Sequence, residues 1–443
     1  MKNRPLLKSI LSLLSLSVIV KIIATIAKVT TTRVVGVSAT GLFMMINPSM
    51  IFLINITQLS LPIVIAKLIS ANKNPKKVII TTSIILFSVT LLSMIVILYI
   101  SQPFTKYILK NEDCYMAFNA LALLIPLISI GSIIKGYLIG TNRVNITAAS
   151  QISEEIGRLA FILALGSSFI NVSFPFAAAC CVYSLCFGEV CSLTHMIIVL
   201  LKNKSKEKLN ILKDITNKEN YIVKEVLSIS LPLTSSRLIT SFTYFLEPII
   251  LTFLLLKYGY NISWITNEYG ILNGYAMPLI MMPAFFSSLF GKILLPEMTK
   301  LVSNKKNNYA FSLFKKFMIL TLLTGILFSI FILIFRHPIL TLLYGSSKGI
   351  KYILYLTIPF SIYYLEAPVS ATLTALSLNK ETFKIGITSS FIRLISLILL
   401  LEKFHIFAVA ISELFGIVIY LILGIYYILK RFHSYNIHSI TFK

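Results

Sequence analysis

The residue pattern predicts an all-α polytopic membrane protein of two six-helix bundles, about twelve transmembrane helices in all, on three observations. Hydrophobic residues make up 57% of the 443-residue chain and charged residues only 13%, and the mean hydropathy is +0.87. Such a composition belongs to chains that cross a membrane repeatedly. Apolar runs long enough to span a bilayer alternate with short polar or glycine-bearing loops. Lys and Arg gather in every second loop, the positive-inside pattern.

The runs fall at 6–30, 42–69, 78–101, 117–140, 146–170, 174–201, 225–256, 269–294, 312–335, 350–376, 384–401 and 405–429. At about 1.5 Å of rise per residue, each is of the length a hydrocarbon core requires. The start, MKNRPLLKSI, is like the basic start of a signal peptide. No small-residue cleavage site follows, and Lys21 and Lys28 interrupt the apolar region, so the reading is a retained first helix.

Of the 40 Lys and Arg, eight fall in the odd-numbered loops: Arg33, Lys106, Lys110, Lys257, Arg336, Lys348, Lys351 and Lys403. Six lie inside spans: Lys21, Lys28, Lys135, Arg158, Arg237 and Arg393. The other 26 lie at the N-terminus, the even-numbered loops, the span ends that border them and the C-terminus. This bias places both termini in the cytoplasm of a multi-pass protein of a bacterial cytoplasmic membrane. It also accounts for most of the net charge of +24, so no nucleic-acid partner is expected.

Four segments follow: a first six-helix lobe at 1–201, a basic cytoplasmic linker at 202–224, a second six-helix lobe at 225–430 and a short cytoplasmic tail at 431–443. The linker, KNKSKEKLNILKDITNKENYIVK, reads as a solvated segment resting on anionic headgroups. The lobes look duplicated. LPIVIAKLIS at 61–70 parallels LPEMTKLVS at 295–303, Ile125-Pro126 parallels Ile358-Pro359, and Arg158 and Lys21 have rough counterparts in Arg393 and Arg237. Duplicated halves around a midplane site are the usual build of secondary transporters, and prolines inside spans suit kinked helices.

Several chemistries are excluded. The chain carries no GxxxxGK[ST] loop and no HExxH motif, and its longest non-membrane stretch is too short for a nucleotide-binding domain. An ATP-driven pump and an enzyme are therefore not expected, nor a cofactor or a metal. Four of the five cysteines, Cys180, Cys181, Cys186 and Cys191, share one span without histidines at ligand spacing, and read as packing residues.

The candidate site is cationic. Lys21 falls near the middle of the first span, where a charge costs roughly 2.5–3.5 kcal/mol even on insertion scales. Lys28, seven residues on, shares its helix face, while Arg33 lies on another face near the outer rim. The choice is between lysines that snorkel to the headgroups and a cationic stripe lining a cavity for an anion. Arg237 is the corresponding midplane cation of the seventh span. Six acids also lie within spans: Glu154, Glu155, Glu189, Glu247, Glu366 and Glu413. Gln151, Glu154 and Arg158 fall on one face of the fifth span, with Glu154 and Arg158 in the favourable i,i+4 order. They form either a structural ion pair or a cavity wall whose pairing changes between states. Glu247, followed by Pro248, either neutralises Arg237 or binds a coupling monovalent cation.

Together these residues resemble the multidrug/oligosaccharidyl-lipid/polysaccharide (MOP) exporter superfamily, and within it the polysaccharide biosynthesis, stage V sporulation protein B-like branch, related to lipid II flippases. Lys21, Lys28 and Arg33 match that branch's three basic positions in spacing, with lysine for arginine at the first two. SQISEEIGR at 150–158 is similar to its S-Q-x-x-E-x-x-x-R motif, and residues 231–250 and 270–300 look like its seventh and eighth spans. The resemblance implies a V-shaped two-lobe arrangement with alternating access, driven by an ion or the membrane potential. Its members usually carry fourteen spans, the last pair forming a lipid-tail groove; this sequence has twelve.

The expected function is flippase-like movement of a lipid-linked, polyprenyl-diphosphate saccharide or peptidoglycan precursor, for spore cortex or cell envelope synthesis. The midplane cations would hold the anionic head. The rivals are a cation-coupled multidrug exporter of the same superfamily, whose cavity acids should dominate, and a non-transporting scaffold for envelope assembly.

Overall fold

The computed structural model describes residues 4–71, 73–202 and 220–440, with side chains at 16–71, 73–202, 222–235 and 237–433. Most of the linker expected at 202–224 and the end of the tail thus lie outside the described residues. Every described element is a helix. In order they are α1 (Arg4–Gln58), α2 (Leu61–Ser70), α3 (Pro75–Pro103), α4 (Tyr115–Gly140), α5 (Val144–Val172), α6 (Phe174–Lys202), α7 (Asn220–Lys257), α8 (Ile262–Gly270), α9 (Met277–Ile280), α10 (Ala284–Ser303), α11 (Asn307–Ile334), α12 (Arg336–Tyr344), α13 (Ile350–Phe360), α14 (Glu366–Ala375), α15 (Asn379–Phe404) and α16 (Phe407–Ile440).

Nine helical stretches among the described residues are long and apolar enough to cross a membrane, or ten if the pair Ile262–Ile280 and Ala284–Ser303, bent by 51°, is one span. The difference from twelve has two local causes. The first two expected spans lie in one stretch, Leu16–Ser70. Where a loop is expected at 31–41, the chain stays helical and turns at Gly36 (φ 77°, ψ −178°), a conformation open to a residue without Cβ. The expected span 350–376 is broken between α13 and α14 by a 3-10 segment, Ser361–Leu365. Tyr364 anchors that break: its hydroxyl donates to the Ile280 carbonyl at 2.7 Å, and its own carbonyl accepts from Ser287.

The chain divides into two compact units, Met1–Ile249 and Ile250–Lys443. The division falls inside α7, later than the start at 225 that the sequence reading gives the second lobe. The reason is packing. Val226 is buried in the cluster of Leu61, Val64, Ile65, Leu68, Val78 and Leu86, and Thr234 donates to the Ser60 hydroxyl at 3.3 Å. Phe245 stacks on Phe52 of α1 at 5.1 Å and on Phe104 at 5.8 Å. The outward faces are apolar, as a lipid-facing surface requires, with Phe87, Leu92 and Tyr99 of α3 among many exposed large side chains. The interior instead admits small and hydroxylated residues, including a Thr90–Ser129 hydrogen bond of 2.9 Å between α3 and α4.

Helix contact without a hydrophobic driving force depends on close approach. At Gly136 and Gly140 of α4, an added Cβ would meet α2 at 2.9 Å, against the Pro62 carbonyl and Ile65 in the first case and Ile69 in the second. We expect Gly140→Val to lower stability by about 1–3 kcal/mol through overpacking, read as a fall in the thermal midpoint of the purified protein. Gly386→Ala, where an added Cβ meets nothing within 4 Å, should leave it unchanged or raise it.

Candidate functional site

Two kinds of charge occupy the first unit, and the folding of α4, α5 and α6 separates them. Glu154 and Arg158 are one turn apart on α5, as the i,i+4 spacing demands, with Arg158 Nη2 2.5 Å from Glu154 Oε1. Arg158 Nη1 also reaches Glu155 at 3.1 Å, one residue round the same helix. Lys135 comes from α4 and stands 3.4 Å from Glu189 of α6 and 3.7 Å from Glu154. Glu154 therefore bridges the two cations. Five ionisable groups from three helices close into one network, in which Glu154 and Glu189 are only 8% and 6% exposed. The helices can meet there because α6 presents Gly188 to the Arg158 side chain. A Cβ on that residue would come within 2.6 Å of Arg158 Cγ and 2.8 Å of the Glu154 carbonyl.

Of the residues expected on α5, Glu154, Glu155 and Arg158 are thus brought together, while Gln151 is exposed. Lys135 and Glu189 are the members that reasoning on α5 alone leaves out. Each is a lone charge on its own span with no opposite charge at i±3 or i±4, which was the available sign of a partner on another helix. The network continues toward the end of the helix pair as a 2.8 Å contact between Ser153 and His195. All five cysteines are free, and four are buried.

The cations of α1 and α7 are placed differently. Lys21, Lys28, Arg33 and Arg237 are all exposed, and none of Lys21, Lys28 and Arg237 forms an ion pair among the described residues. Lys28 is exposed as a residue, although protein surrounds its ammonium group on most sides. Lys21 lies within electrostatic reach of Lys28 on its own helix and of Glu155 on α5. The α1 stripe therefore faces the rest of its unit rather than only the surroundings. Arg237 belongs to the part of α7 that packs with the same unit, so Lys21 and Arg237 fall in one compact unit. Glu247, 2% exposed, is buried and engaged within the fold.

The two sets differ in their pairing. The three carboxylates of the network share two cations, Lys135 and Arg158, at contact distance, whereas Lys21 and Lys28 form no ion pair among the described residues.

Comparison with known proteins adds the lineage. The model of the family described as "Polysaccharide biosynthesis protein" matches residues 6–302. The chain is 28% identical over 388 residues to stage V sporulation protein B of Bacillus subtilis (strain 168), an alignment covering 85% of this chain and 74% of that one. Among solved structures it resembles the lipid II flippase MurJ in an inward closed conformation, with TM-score 0.66, 14% identity and coverage of 96% and 90% of the two chains. It also resembles an inward-facing multidrug resistance MATE family transporter of the MOP superfamily, with TM-score 0.64, 16% identity and coverage of 94% and 95%.

The network makes a specific demand on stability. Arg158→Ala leaves Glu155 without a contact cation, whereas Glu154 keeps Lys135. We expect a loss of about 3–5 kcal/mol, seen as a lower thermal midpoint and poorer yield. Adding Glu155→Gln should recover more of that loss than adding Glu154→Gln. Equal rescue by the two would show that the charges do not divide between the cations as the distances imply.

Proposed function

The chain belongs to the polysaccharide biosynthesis protein family of the MOP superfamily, and from that premise we propose that it is a secondary, flippase-like transporter of a lipid-linked, diphosphate-bearing saccharide or peptidoglycan precursor. Lys21, Lys28 and Arg237 would hold the anionic head while the lipid tails stay toward the bilayer. No bond is made or broken: the work is translocation across the cytoplasmic membrane, for envelope or spore cortex synthesis.

The observation that carries this reading is the exposed cationic stripe on α1, with no ion pair among the described residues, in a unit whose carboxylates Glu154, Glu155 and Glu189 already pair with Lys135 and Arg158. Two lysines on one apolar helix face repel each other, and a diphosphate relieves that repulsion while accepting charge-assisted hydrogen bonds. Arg237 suits two-point contact with a phosphoryl group, and Arg33, read at the outer rim, would be met by a headgroup as it leaves. A cargo that draws these groups together binds one conformation better than another, which is what alternating access requires. The same observation weighs against a drug exporter of the superfamily. Each of Glu154, Glu155 and Glu189 already has Lys135 or Arg158 at contact distance, with which a cationic drug would compete. Glu247 remains the candidate for a coupling monovalent cation.

The binding test uses purified protein and a polyprenyl-diphosphate probe. Lys21→Ala and Arg237→Ala should each weaken binding by about tenfold or more, the scale of one lost hydrogen bond to a charged group. Lys21→Arg should retain binding, and Lys21→Glu should be worse than Lys21→Ala. Wild-type affinity in both alanine variants would overturn the anionic cargo. Full complementation by a chain with all three cations neutralised would favour the scaffold.

Orientation is tested separately. Reporter fusions after Lys213 and Lys443 should read cytoplasm, and one at Ser346 should read outside. A cytoplasmic signal at Ser346 would reverse the second unit.

A further inference from the structure

A second basic feature lies in the other unit, away from every residue used above. A cavity of about 440 Å³ opens where the start of α11 meets α16, lined by Asn307, Asn308 and Phe311 of α11 and by Tyr426, Lys430 and His433 of α16. That volume is in the range of small-ligand sites. The two helices touch there through Phe311 and Phe432, whose ring centroids are 5.3 Å apart.

The two segments that form the cavity are basic. Lys305, Lys306, Lys315, Lys316, Lys430 and Arg431 cluster in the adjoining sequence, and no acid occurs from 298 to 330 or from 414 to 443. Lys315 Nζ lies 4.5 Å from the centre of the Phe311 ring, and Lys430 Nζ lies 6.0 Å from that of Tyr426. The start of α11 adds to the imbalance. Its first turn contains no acid, and the preceding residue, Lys306, supplies no side-chain cap. A cation thus stands where a helix favours an anion. Below the cavity both helices are lipid-facing, with Ile319, Leu320 and Leu323 of α11 and Ile422 and Leu429 of α16 exposed.

We propose that this cavity binds one anionic phospholipid, its phosphoryl group over the start of α11 beside Lys430 and His433 and its acyl chains along the apolar surfaces of α11 and α16. Positive charge, aromatic walls and an apolar exit select a lipid over a free anion. Basic pockets between transmembrane helices on the cytoplasmic side are a recurring way to hold such headgroups. By the charge bias of the loops, the lipid belongs to the inner leaflet. The site is separate from the α1 stripe and does not depend on the identity of the cargo.

Native mass spectrometry of the full chain tests it, with phosphatidylglycerol, phosphatidylcholine or inorganic phosphate added to delipidated protein. The wild type should retain one phosphatidylglycerol in clear preference to phosphatidylcholine. Lys430→Ala and Asn308→Glu should each weaken retention by about tenfold, while Lys403→Ala, an exposed cation at the far end of α15, should not. A thermal melt in phosphatidylcholine confirms that each variant is folded. Unchanged retention in Lys430→Ala and Asn308→Glu would overturn the proposal. So would a site that takes inorganic phosphate while showing no preference between the two lipids.

Discussion

A charge held inside a hydrocarbon layer must be neutralised by a partner or reached by water, and that constraint organises the first unit. Its mid-span charges answer it in two ways. Lys135, Glu154, Glu155, Arg158 and Glu189 pair with one another across α4, α5 and α6, three carboxylates sharing two cations. Lys21, Lys28 and Arg237 are exposed instead. The first solution fixes three helices relative to one another, because a five-member network has little freedom to slide. The second leaves Lys21, Lys28 and Arg237 without an ion pair among the described residues. The division of labour follows from placement: carboxylates on adjoining helices reach Lys135 and Arg158 but do not come within contact distance of the stripe.

Much of this was legible in the sequence. Composition gave a helical membrane chain, and the spacing Glu154-x-x-x-Arg158 gave an ion pair that the structure contains. The mid-span lysines were visible as anomalies, and the structure shows them exposed rather than ion-paired among the described residues. What was hidden has a common physical origin. Glu189 and Lys135 are 54 residues apart, and nothing local marks them as partners. Contacts across helices depend on rotation about each helix axis, which an apolar periodicity does not define when the whole surface of a helix is apolar. The same limit hides where α7 belongs. Its sequence opens the second half of the chain, yet Val226, Thr234 and Phe245 pack on the first unit.

Boundaries failed for a different reason. A loop was expected at 31–41 because Thr30, Thr31, Thr32, Arg33 and Gly36 lower the local hydropathy. Threonine hydroxyls can instead bond back to the carbonyl one turn earlier, as Thr31 does to Ala27 at 2.8 Å, so a polar stretch remains helical. The turn is then left to Gly36 alone. Burial runs through that turn: Ala27, Val29, Thr32 and Val35 before Gly36, and Ala39, Leu42 and Met45 after it, are all buried, so both arms of α1 are held by packing within the first unit.

Lys21 is the residue where these threads meet. It senses Lys28 on its own arm and Glu155 on α5, and Glu155 is the network carboxylate that leans on Arg158 alone. Were Arg158 to release Glu155, Lys21 is the other cation within electrostatic reach of that carboxylate. On the proposed anionic cargo, pairing of Glu155 with Lys21 would lower the positive charge that the stripe presents, so a change that loosens Arg158 from Glu155 would weaken the binding which that reading assigns to α1.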